Sequence, residues 1–411
     1  MRRPKILSLM LALFLTSPIL ATESTSVDGV THIKNRDQPA GGARTIQLEE
    51  IWRAGADDEE VLFGVITDAL SDDTGKVYLL DMQLNQIHVF SPDGQFLQII
   101  SGEGDGPGEI REPSDMFLLA DGTLGIVHRA PGVVTRIDLE GVPRSAVRYS
   151  RSDGEAAGFV QLRHGQYRAG TFVLCGQEFK QEAERKTRHK FLSIFGNDGT
   201  EKIRLLDHDG EAFNFKRRSY VEIDDHFVDQ AGLWTLGPEG NIYAAQERNR
   251  YAVHVYRPDG SLVRVISRDY RPWRRTDDEK RKLADKRTMM FNGKKVKLDT
   301  TFEDHEPCVK SLRVDAMGRL WVQHGRTTEE PPAGILLSYD LFDAGGSFME
   351  IVHVACAGDR KQDRLLPLDD GRYILLRGIT GAIDAMYGMY NPVVDDAEVT
   401  PLEVICLKAA W

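Results

Sequence analysis

The sequence predicts an all-β fold, a six-bladed β-propeller with four-stranded antiparallel blades and a helical insertion between blades 4 and 5. Three observations lead to this prediction. A strand, strand, turn, strand pattern recurs along the chain, glycines recur at one place within it, and no linker separates the repeats. Short antiparallel units cannot bury both faces alone, so we expect them to stack in a closed ring.

Composition excludes several other classes of protein. The chain has 411 residues, of which 41% are hydrophobic, and 52 Lys and Arg stand against 63 Asp and Glu for a net charge of −11. This sign is wrong for a general nucleic-acid binder, because the phosphate backbone attracts basic surfaces. The 38 Gly and 17 Pro are ordinary numbers, which excludes collagen-like and low-complexity chains.

The amino terminus has the order of a secretory signal. Basic side chains precede the apolar run 6–20, and Ala21 and a polar stretch follow it. The run is too short for a comfortable transmembrane helix. We therefore predict a signal peptide over 1–21, a secreted or periplasmic mature protein, and no membrane span after the signal is removed.

The rest of the chain divides into a flexible segment, 22–44, and a single propeller domain, 45–411. The segment 45–52 precedes the first repeat. It either adds an outer strand to the last blade and closes the ring, or packs across a face of that blade. The predicted blades cover 60–101, 113–150, 157–206, 231–267, 309–355 and 363–408, with an insertion over 268–310.

The first repeat shows the pattern most clearly. Strands are predicted over 77–81, 86–90 and 95–100, because β-branched and aromatic residues alternate there. The Pro-Asp-Gly sequence at 92–94 supplies the turn before the last strand. Similar units follow at 124–141 and 242–260.

Glycines give the repeat its register. They precede the second strand of each unit at Gly75, Gly122, Gly165, Gly240, Gly318 and Gly371. The residues seven positions earlier are Asp68, Asp115, Gly158, Leu233, Ser311 and Arg364. The residues six positions later are Asp81, His128, Thr171, Gln246, His324 and Arg377.

The segment 77–94, read with 102–109 and 113–116, resembles the NHL-type repeat and the secreted six-bladed propellers related to it. The resemblance covers most of 60–408. It implies a propeller but no particular activity, because that architecture hosts binding proteins and enzymes alike. Blade 3, which lacks an acidic residue after its second strand, and the long insertion depart from the pattern.

The polar residues in these two sets are candidates for a ligand site. In a propeller, the innermost strand starts at the face where the second strand ends, so both sets should surround one mouth of the central channel. The predicted ligand-binding residues are Asp68, Asp81, Asp115, His128, Gln246, His324, Arg364 and Arg377. The alternative is that the aspartates cap the loops after their strands.

Two acidic and histidine-containing loops on the same face are candidates for a metal site. The predicted ligands are Asp225, His226, Asp304, His305 and Glu306. Carboxylates would favour calcium, whereas added histidine would favour zinc or another transition metal. The alternative is that these are solvated loop charges.

The insertion combines a helix signal with positive charge. Thr276 and Glu279 fit a capping box, which predicts a helix over about 277–290. Twelve Lys and Arg lie between Arg268 and Lys297. The insertion is either a lid that attracts an anionic ligand or partner to the channel mouth, or a surface helix with solvated charges.

The remaining motifs narrow the chemistry. The glycine run 102–108 lacks the spacing of nucleotide-binding loops and is typical of a tight connection between blades. The four cysteines form no CxxC pair, and are either disulfide-bonded or buried thiols. We therefore expect a binding or protein-interaction module that holds a small molecule or a protein partner at the channel mouth. The alternative is a metal-assisted hydrolase, lactonase or lyase in that mouth.

Overall fold

Each predicted repeat forms one blade in the computed structural model. The structure describes residues 22–56, 61–154, 158–182, 185–211, 219–230, 232–291, 294–328, 333–386 and 401–410. The strands before the first blade are β1 (Glu23–Val27), β2 (Val30–Asn35) and β3 (Ala43–Gly55). Blade 1 contains β4 (Ile66–Ser71), β5 (Val77–Asp81), β6 (Gln86–Phe90) and β7 (Phe96–Ile100). Blade 2 contains β8 (Pro113–Leu118), β9 (Leu124–His128), β10 (Val133–Ile137) and β11 (Pro143–Arg148). Blade 3 contains β12 (Phe159–Arg168), β13 (Thr171–Glu182), β14 (Arg185–Phe195) and β15 (Glu201–Glu211).

The second half of the chain continues the ring. A short strand, β16 (Ser219–Val221), and helix α1 (Glu222–Asp225) lead into blade 4. Blade 4 contains β17 (Trp234–Leu236), β18 (Ile242–Ala244), β19 (Ala252–Tyr256) and β20 (Leu262–Arg268). The insertion carries α2 (Asp277–Lys286), β21 (Thr288–Phe291), β22 (Lys294–Lys297) and β23 (Asp299–Thr301). Blade 5 contains β24 (Ser311–Val314), β25 (Leu320–Gln323), a 3-10 helix (Gly325–Thr328), β26 (Ile335–Phe342) and β27 (Phe348–Ala355). Blade 6 contains β28 (Arg364–Pro367), β29 (Arg372–Arg377), α3 (Ile379–Met386) and β30 (Glu403–Ala410).

The first strands of neighbouring blades contact one another and line the axis. Strand β4 contacts β8, β8 contacts β12, β12 contacts β17, and β17 contacts β24. The hydrophobic core lies between the sheets, as where Tyr78 and Leu80 of blade 1 pack with Ile126 of blade 2. The fold is therefore the predicted six-bladed propeller.

Strand β3 closes the ring. It pairs antiparallel with β30 as the fourth strand of blade 6, and parallel with β27 of blade 5 on its other side. Trp52 on β3 stacks on Phe90 of blade 1 with ring centroids 5.2 Å apart. Of the two alternatives for 45–52, the outer strand is confirmed.

The segment expected to be flexible, 22–44, instead contains a β-hairpin, so that expectation is corrected. Strands β1 and β2 extend blade 4, with β2 pairing parallel to β20. The Asn35 amide donates to the carbonyls of Ser267 at 3.1 Å and Gly346 at 2.9 Å, which ties the hairpin to blades 4 and 5. The outer edge of blade 4 offers unpaired backbone groups, and the hairpin satisfies them.

Blade 3 differs from the predicted register. Its first turn lies at Ala169 and Gly170, both with positive φ, and not at Gly165. Gly165 lies within β12, where a Cβ atom would come within 2.8 Å of the Phe117 ring. Close packing between blades 2 and 3 explains this glycine, so the residue assignments counted from it, Gly158 and Thr171, are wrong.

The insertion begins as the capping box predicts. The Thr276 side chain accepts from the Glu279 amide and the Glu279 carboxylate accepts from the Thr276 amide. Helix α2 ends at Lys286 rather than near 290, and the hairpin of β21 and β22 follows. Strand β23 pairs parallel with β16, which joins the loops that lead into blades 4 and 5.

The predicted signal peptide, 1–21, lies outside the described residues. No helix in the part of the chain that the structure describes is long and apolar enough to cross a membrane.

Candidate functional site

Three consecutive blades place a polar residue at the same position of the innermost strand. Asp68, Asp115 and His164 each follow a residue that bulges out of the pairing between the first and second strands. A bulge redirects the next side chain, and bulges are frequent beside functional sites. The Asp115 Oδ2 and His164 Nδ1 atoms are 3.6 Å apart, and their side chains are 17% and 27% exposed. We call Asp68, Asp115 and His164 the channel triad.

The carboxylates of the channel triad also join neighbouring blades. The Met116 amide donates to Asp68 Oδ2 at 3.1 Å, and the Gly165 amide donates to Asp115 Oδ2 at 2.8 Å. The same bond therefore links blade 1 to blade 2 and blade 2 to blade 3. These backbone bonds hold both carboxyl groups in fixed positions at the axis.

The surroundings of Asp68 favour the protonated form of its carboxyl group. Burial raises the pKa of Asp68 well above its usual range, and the neighbouring Asp115 carboxylate raises that pKa further. The protonated Asp68 carboxyl donates a hydrogen bond to Asp115. Asp68 therefore keeps its proton to a higher pH than a solvent-exposed aspartate does.

Arg364 lies at the equivalent position in blade 6, as the first residue of β28. Burial lowers the pKa of its guanidinium. Among the described residues, no hydrogen bond or ion pair reaches this side chain. An arginine without a carboxylate partner adds an anion-binding group at the same level of the channel as the channel triad.

The second predicted set lies within the blades instead of at the channel, which corrects the expectation that both sets surround the mouth. Asp81 is fully buried and accepts from the amides of Gly64, Val65, Gln83 and Leu84 at 2.7 to 3.1 Å. Asp81 therefore caps loops through backbone amides, as the alternative to ligand binding predicted. The second strand is one strand removed from the axis, so its side chains meet loops and neighbouring strands.

Three other members of that set, His324, Gln246 and Arg377, also have local side-chain partners. His324 Nε2 lies 3.3 Å from Asp340 Oδ1, and Gln246 donates to the Tyr256 hydroxyl. Arg377 donates to Glu403 Oε2 at 2.6 Å. His128 is buried, and that burial lowers its pKa to about 4.

The predicted metal ligands are engaged by lysine and arginine. Asp225 Oδ1 is 3.2 Å from both Lys190 Nζ and an Arg188 nitrogen. Asp304 pairs with Lys280, and Glu306 pairs with Lys310 at 3.1 Å. Burial lowers the pKa of His226 to about 4, and His305 is exposed.

The two loops do converge, but on a guanidinium group. Arg275 donates to Glu222 at 2.7 and 2.9 Å and to Glu306 at 2.7 Å, and Arg248 lies 2.8 Å from Glu222. We call Glu222, Arg248, Arg275 and Glu306 the insertion clasp. Within the described ranges, no three His, Cys, Asp or Glu side chains are placed to hold a metal ion. The predicted ligand set therefore does not fit a divalent cation, because cationic side chains already neutralise its carboxylates.

The sequence missed His164 and the arginines of the insertion clasp. Counting seven residues back from Gly170 instead of Gly165 gives position 163, next to His164. The bulge between Leu162 and His164 accounts for the difference of one residue. Nothing in the local sequence separates Arg275 from the other basic residues of the insertion. Its role depends on Glu222, which is 53 positions away.

Two further sequence interpretations are confirmed. Within the glycine run, the Gly106 amide donates to Glu109 at 2.7 Å, and a Cβ atom on Gly104 would overlap that carboxylate. The run is therefore a connection between blades that its own glutamate fills. The cysteines are buried free thiols, at Cys175, Cys308, Cys356 and Cys406.

Comparison with known proteins agrees with this fold. Residues 57–208 match the model of the DUF5128 family, described as a 6-bladed beta-propeller. A candidate exported protein of Bacteroides fragilis is 11% identical over 92% of this chain and 99% of its own, with a TM-score of 0.48. A gluconolactonase of Xanthomonas campestris is 13% identical over 88% and 89%, with a TM-score of 0.45. Regucalcin, a calcium-binding protein of Agrobacterium tumefaciens, is 12% identical over 90% and 98%, with a TM-score of 0.42. No curated protein matches the sequence. At these identities the likeness concerns the fold alone.

Proposed function

We propose that this six-bladed propeller is a ligand-binding protein that holds a small polar molecule at the mouth of its central channel. The observation that carries the proposal is the channel triad. Three blades place Asp68, Asp115 and His164 at one bulged position, and the side chains of Asp115 and His164 remain partly exposed. Convergent polar groups in a concave site are typical of small-ligand pockets.

The chemistry of the channel triad favours a ligand rich in hydrogen-bond donors. The carboxyl oxygens of Asp68 and Asp115 can accept hydrogen bonds from hydroxyl groups or from an ammonium group. Binding of an ammonium group would also favour release of the Asp68 proton, because a cation stabilises the charged form of a carboxyl. Arg364 would donate hydrogen bonds to an anionic group of the same ligand.

The proposed place of action is outside the cytoplasm, either secreted or periplasmic. This rests on the basic, apolar and small-residue order of 1–21. The metal-assisted alternative depended on Asp225, His226, His305 or Glu306 as ligands or base. The carboxylates of Asp225 and Glu306 pair with lysine or arginine. We therefore propose binding rather than metal-assisted hydrolysis or elimination.

Isothermal titration calorimetry with a diamine, a polyol and a dicarboxylate tests the proposal. We expect saturable binding of the diamine or the polyol, and an affinity at least about tenfold lower for Asp115→Asn, because a charge-assisted bond is lost. Repeating the diamine titration in buffers of different ionisation enthalpy should show proton release that Asp68→Asn abolishes.

A matched control is Asp105→Asn. Asp105 is an acidic residue whose side chain is 82% exposed and pairs with Arg111. This variant should bind like the wild type. Failure of both the diamine and the polyol to bind, or equal affinity of Asp115→Asn and the wild type, would show that the channel triad serves only to join the blades.

A further inference from the structure

A second cavity lies between blades 4 and 5 at the end of the propeller opposite the channel mouth. Its volume is about 420 Å³. The turn 237–241 of blade 4 forms one side, and the turn 316–318 with Ala344 of blade 5 forms the other. These turns follow the first strands of their blades, whereas the channel triad lies near the beginnings of such strands. The two sites therefore lie at different ends of the sheets.

Part of the wall of this cavity is apolar. The nearly buried ring of Tyr243 and the side chains of Val255 and Val263 line it. Met317 is 73% exposed at its rim. A large flexible thioether that is exposed beside these apolar side chains is suited to cover a bound apolar group.

The cavity also contains one charge of each sign. Arg264 donates to the Ala344 carbonyl at 2.6 Å, and in the described part of the chain it pairs with no carboxylate. Glu239 lines the same cavity and is exposed. Burial raises the pKa of Tyr243, while Arg264 opposes this rise and Glu239 adds to it. Both charges are therefore near one hydroxyl group without neutralising each other.

The comparable cavity between blades 2 and 3 differs in its volume and in the pairing of its arginine. Its volume is about 150 Å³, and its arginine, Arg136, pairs with Asp121 in the same cavity. The cavity between blades 4 and 5 is larger, and its arginine has no carboxylate partner. A ligand carboxylate could supply that partner.

We propose that the cavity between blades 4 and 5 binds a small zwitterion with an apolar side chain, such as a free α-amino acid. The ligand carboxylate pairs with Arg264, its ammonium group pairs with Glu239, and its side chain packs between Tyr243 and Met317. A ligand with both charges satisfies both protein groups, whereas a ligand with one charge leaves the other group unpaired.

The test follows the Met317 methyl group by NMR in protein labelled with [methyl-13C]methionine, with Met317→Leu to assign the signal. The probes are L-phenylalanine, phenylacetate without the ammonium group, and phenethylamine without the carboxylate. We expect phenylalanine to shift the signal saturably and to bind at least about tenfold more tightly than either other probe. Arg264→Gln and Glu239→Gln should each weaken phenylalanine binding by about tenfold.

Two controls separate this site from other surfaces. Arg136→Gln alters the comparable cavity and should leave the titration unchanged. Asp115→Asn alters the channel triad and should also leave it unchanged, so the two sites are tested independently. The proposal is overturned if phenylalanine produces no saturable shift up to about 10 mM, a limit of weak binding. It is also overturned if phenylacetate binds as tightly as phenylalanine, or if Arg264→Gln has no effect.

Discussion

Replacing Glu222 by glutamine should destabilise the protein by loosening the insertion over blades 4 and 5. Glu222 accepts from Arg275 at 2.7 and 2.9 Å and from the Glu303 amide at 2.9 Å, and Arg248 lies 2.8 Å away. The arginine side chains are 4% and 1% exposed. Glutamine keeps the size of the residue but removes the carboxylate that Arg248 and Arg275 share, and among the described residues only Arg275 keeps a second carboxylate partner, Glu306.

The expected magnitude follows from the pKa of Glu222. Burial alone would raise this pKa, but the hydrogen bonds from Arg275 and the nearby charge of Arg248 outweigh burial and lower it from 4.5 to about 2. That difference corresponds to roughly 3 kcal/mol in the free energy of unfolding. Screening on the open side of the group reduces the expected loss to about 2 kcal/mol.

The sign of the pH dependence is fixed by the same values. Because the pKa of Glu222 is lower in the folded protein, its contribution is complete above pH 4.5 and is lost as the pH falls towards about 2. Urea unfolding followed by tryptophan fluorescence should therefore show a gap between wild type and Glu222→Gln that is constant near neutral pH and narrows in acid. Other carboxyl groups titrate in both proteins and cancel in this difference.

The matched control is Glu303→Gln in the same loop. The Glu303 side chain has only a long hydrogen bond from Asn249, at 3.4 Å, among the described contacts. Its free energy of unfolding should stay within about 0.5 kcal/mol of the wild type. The reasoning is refuted if Glu222→Gln is as stable as this control, or if the gap does not change between neutral and acidic pH.

Three further predictions concern the channel, the ring closure and the cysteines. Because the pKa of Asp68 is raised in the folded protein, the stability that this group contributes is present below pH 3.8 and is lost as the pH rises. The melting temperature of Asp68→Asn should therefore rise relative to that of the wild type as the pH is increased above 3.8, and a difference that does not change with pH would contradict the raised pKa. Trp52→Ala removes the ring that stacks on Phe90 and should lower the free energy of unfolding in urea by about 3–5 kcal/mol. A decrease below about 1 kcal/mol would show that this contact does not hold blades 6 and 1 together. All four cysteines should react with a thiol reagent only after denaturation, because each is buried and burial raises the pKa of the Cys308 thiol to about 11. Fewer than four reactive thiols in denatured, unreduced protein would reveal a disulfide.

Much of the fold follows from local sequence. Turn glycines such as Gly75 and Gly122 have the positive φ that their turns need, and the strands between them have the expected spacing. The same count placed Asp68, Asp115 and Arg364 at equivalent positions on inner strands. It failed in blade 3, where Gly165 is required by packing against Phe117 and not by a turn.

The metal-site prediction failed for a different reason. The two loops come together as expected, but Arg275 from the insertion occupies the space between their carboxylates. A list of acidic and histidine residues contains no information about a cation that enters from elsewhere in the chain. Asp81 shows the same limit. The sequence is compatible with an aspartate that caps a loop and with one that binds a ligand, and only the structure shows that four backbone amides occupy its carboxylate.

The sequence by itself determined the number of blades, their strand order and, outside blade 3, the register of the inner strands, because strand periodicity and turn chemistry act over a few neighbouring residues. The tertiary structure alone decided which side chains meet: that Asp68, Asp115 and His164 adjoin at the axis, and that Glu222 faces Arg275 instead of a metal. These contacts depend on distances between blades, which exist only once β3 has closed the ring.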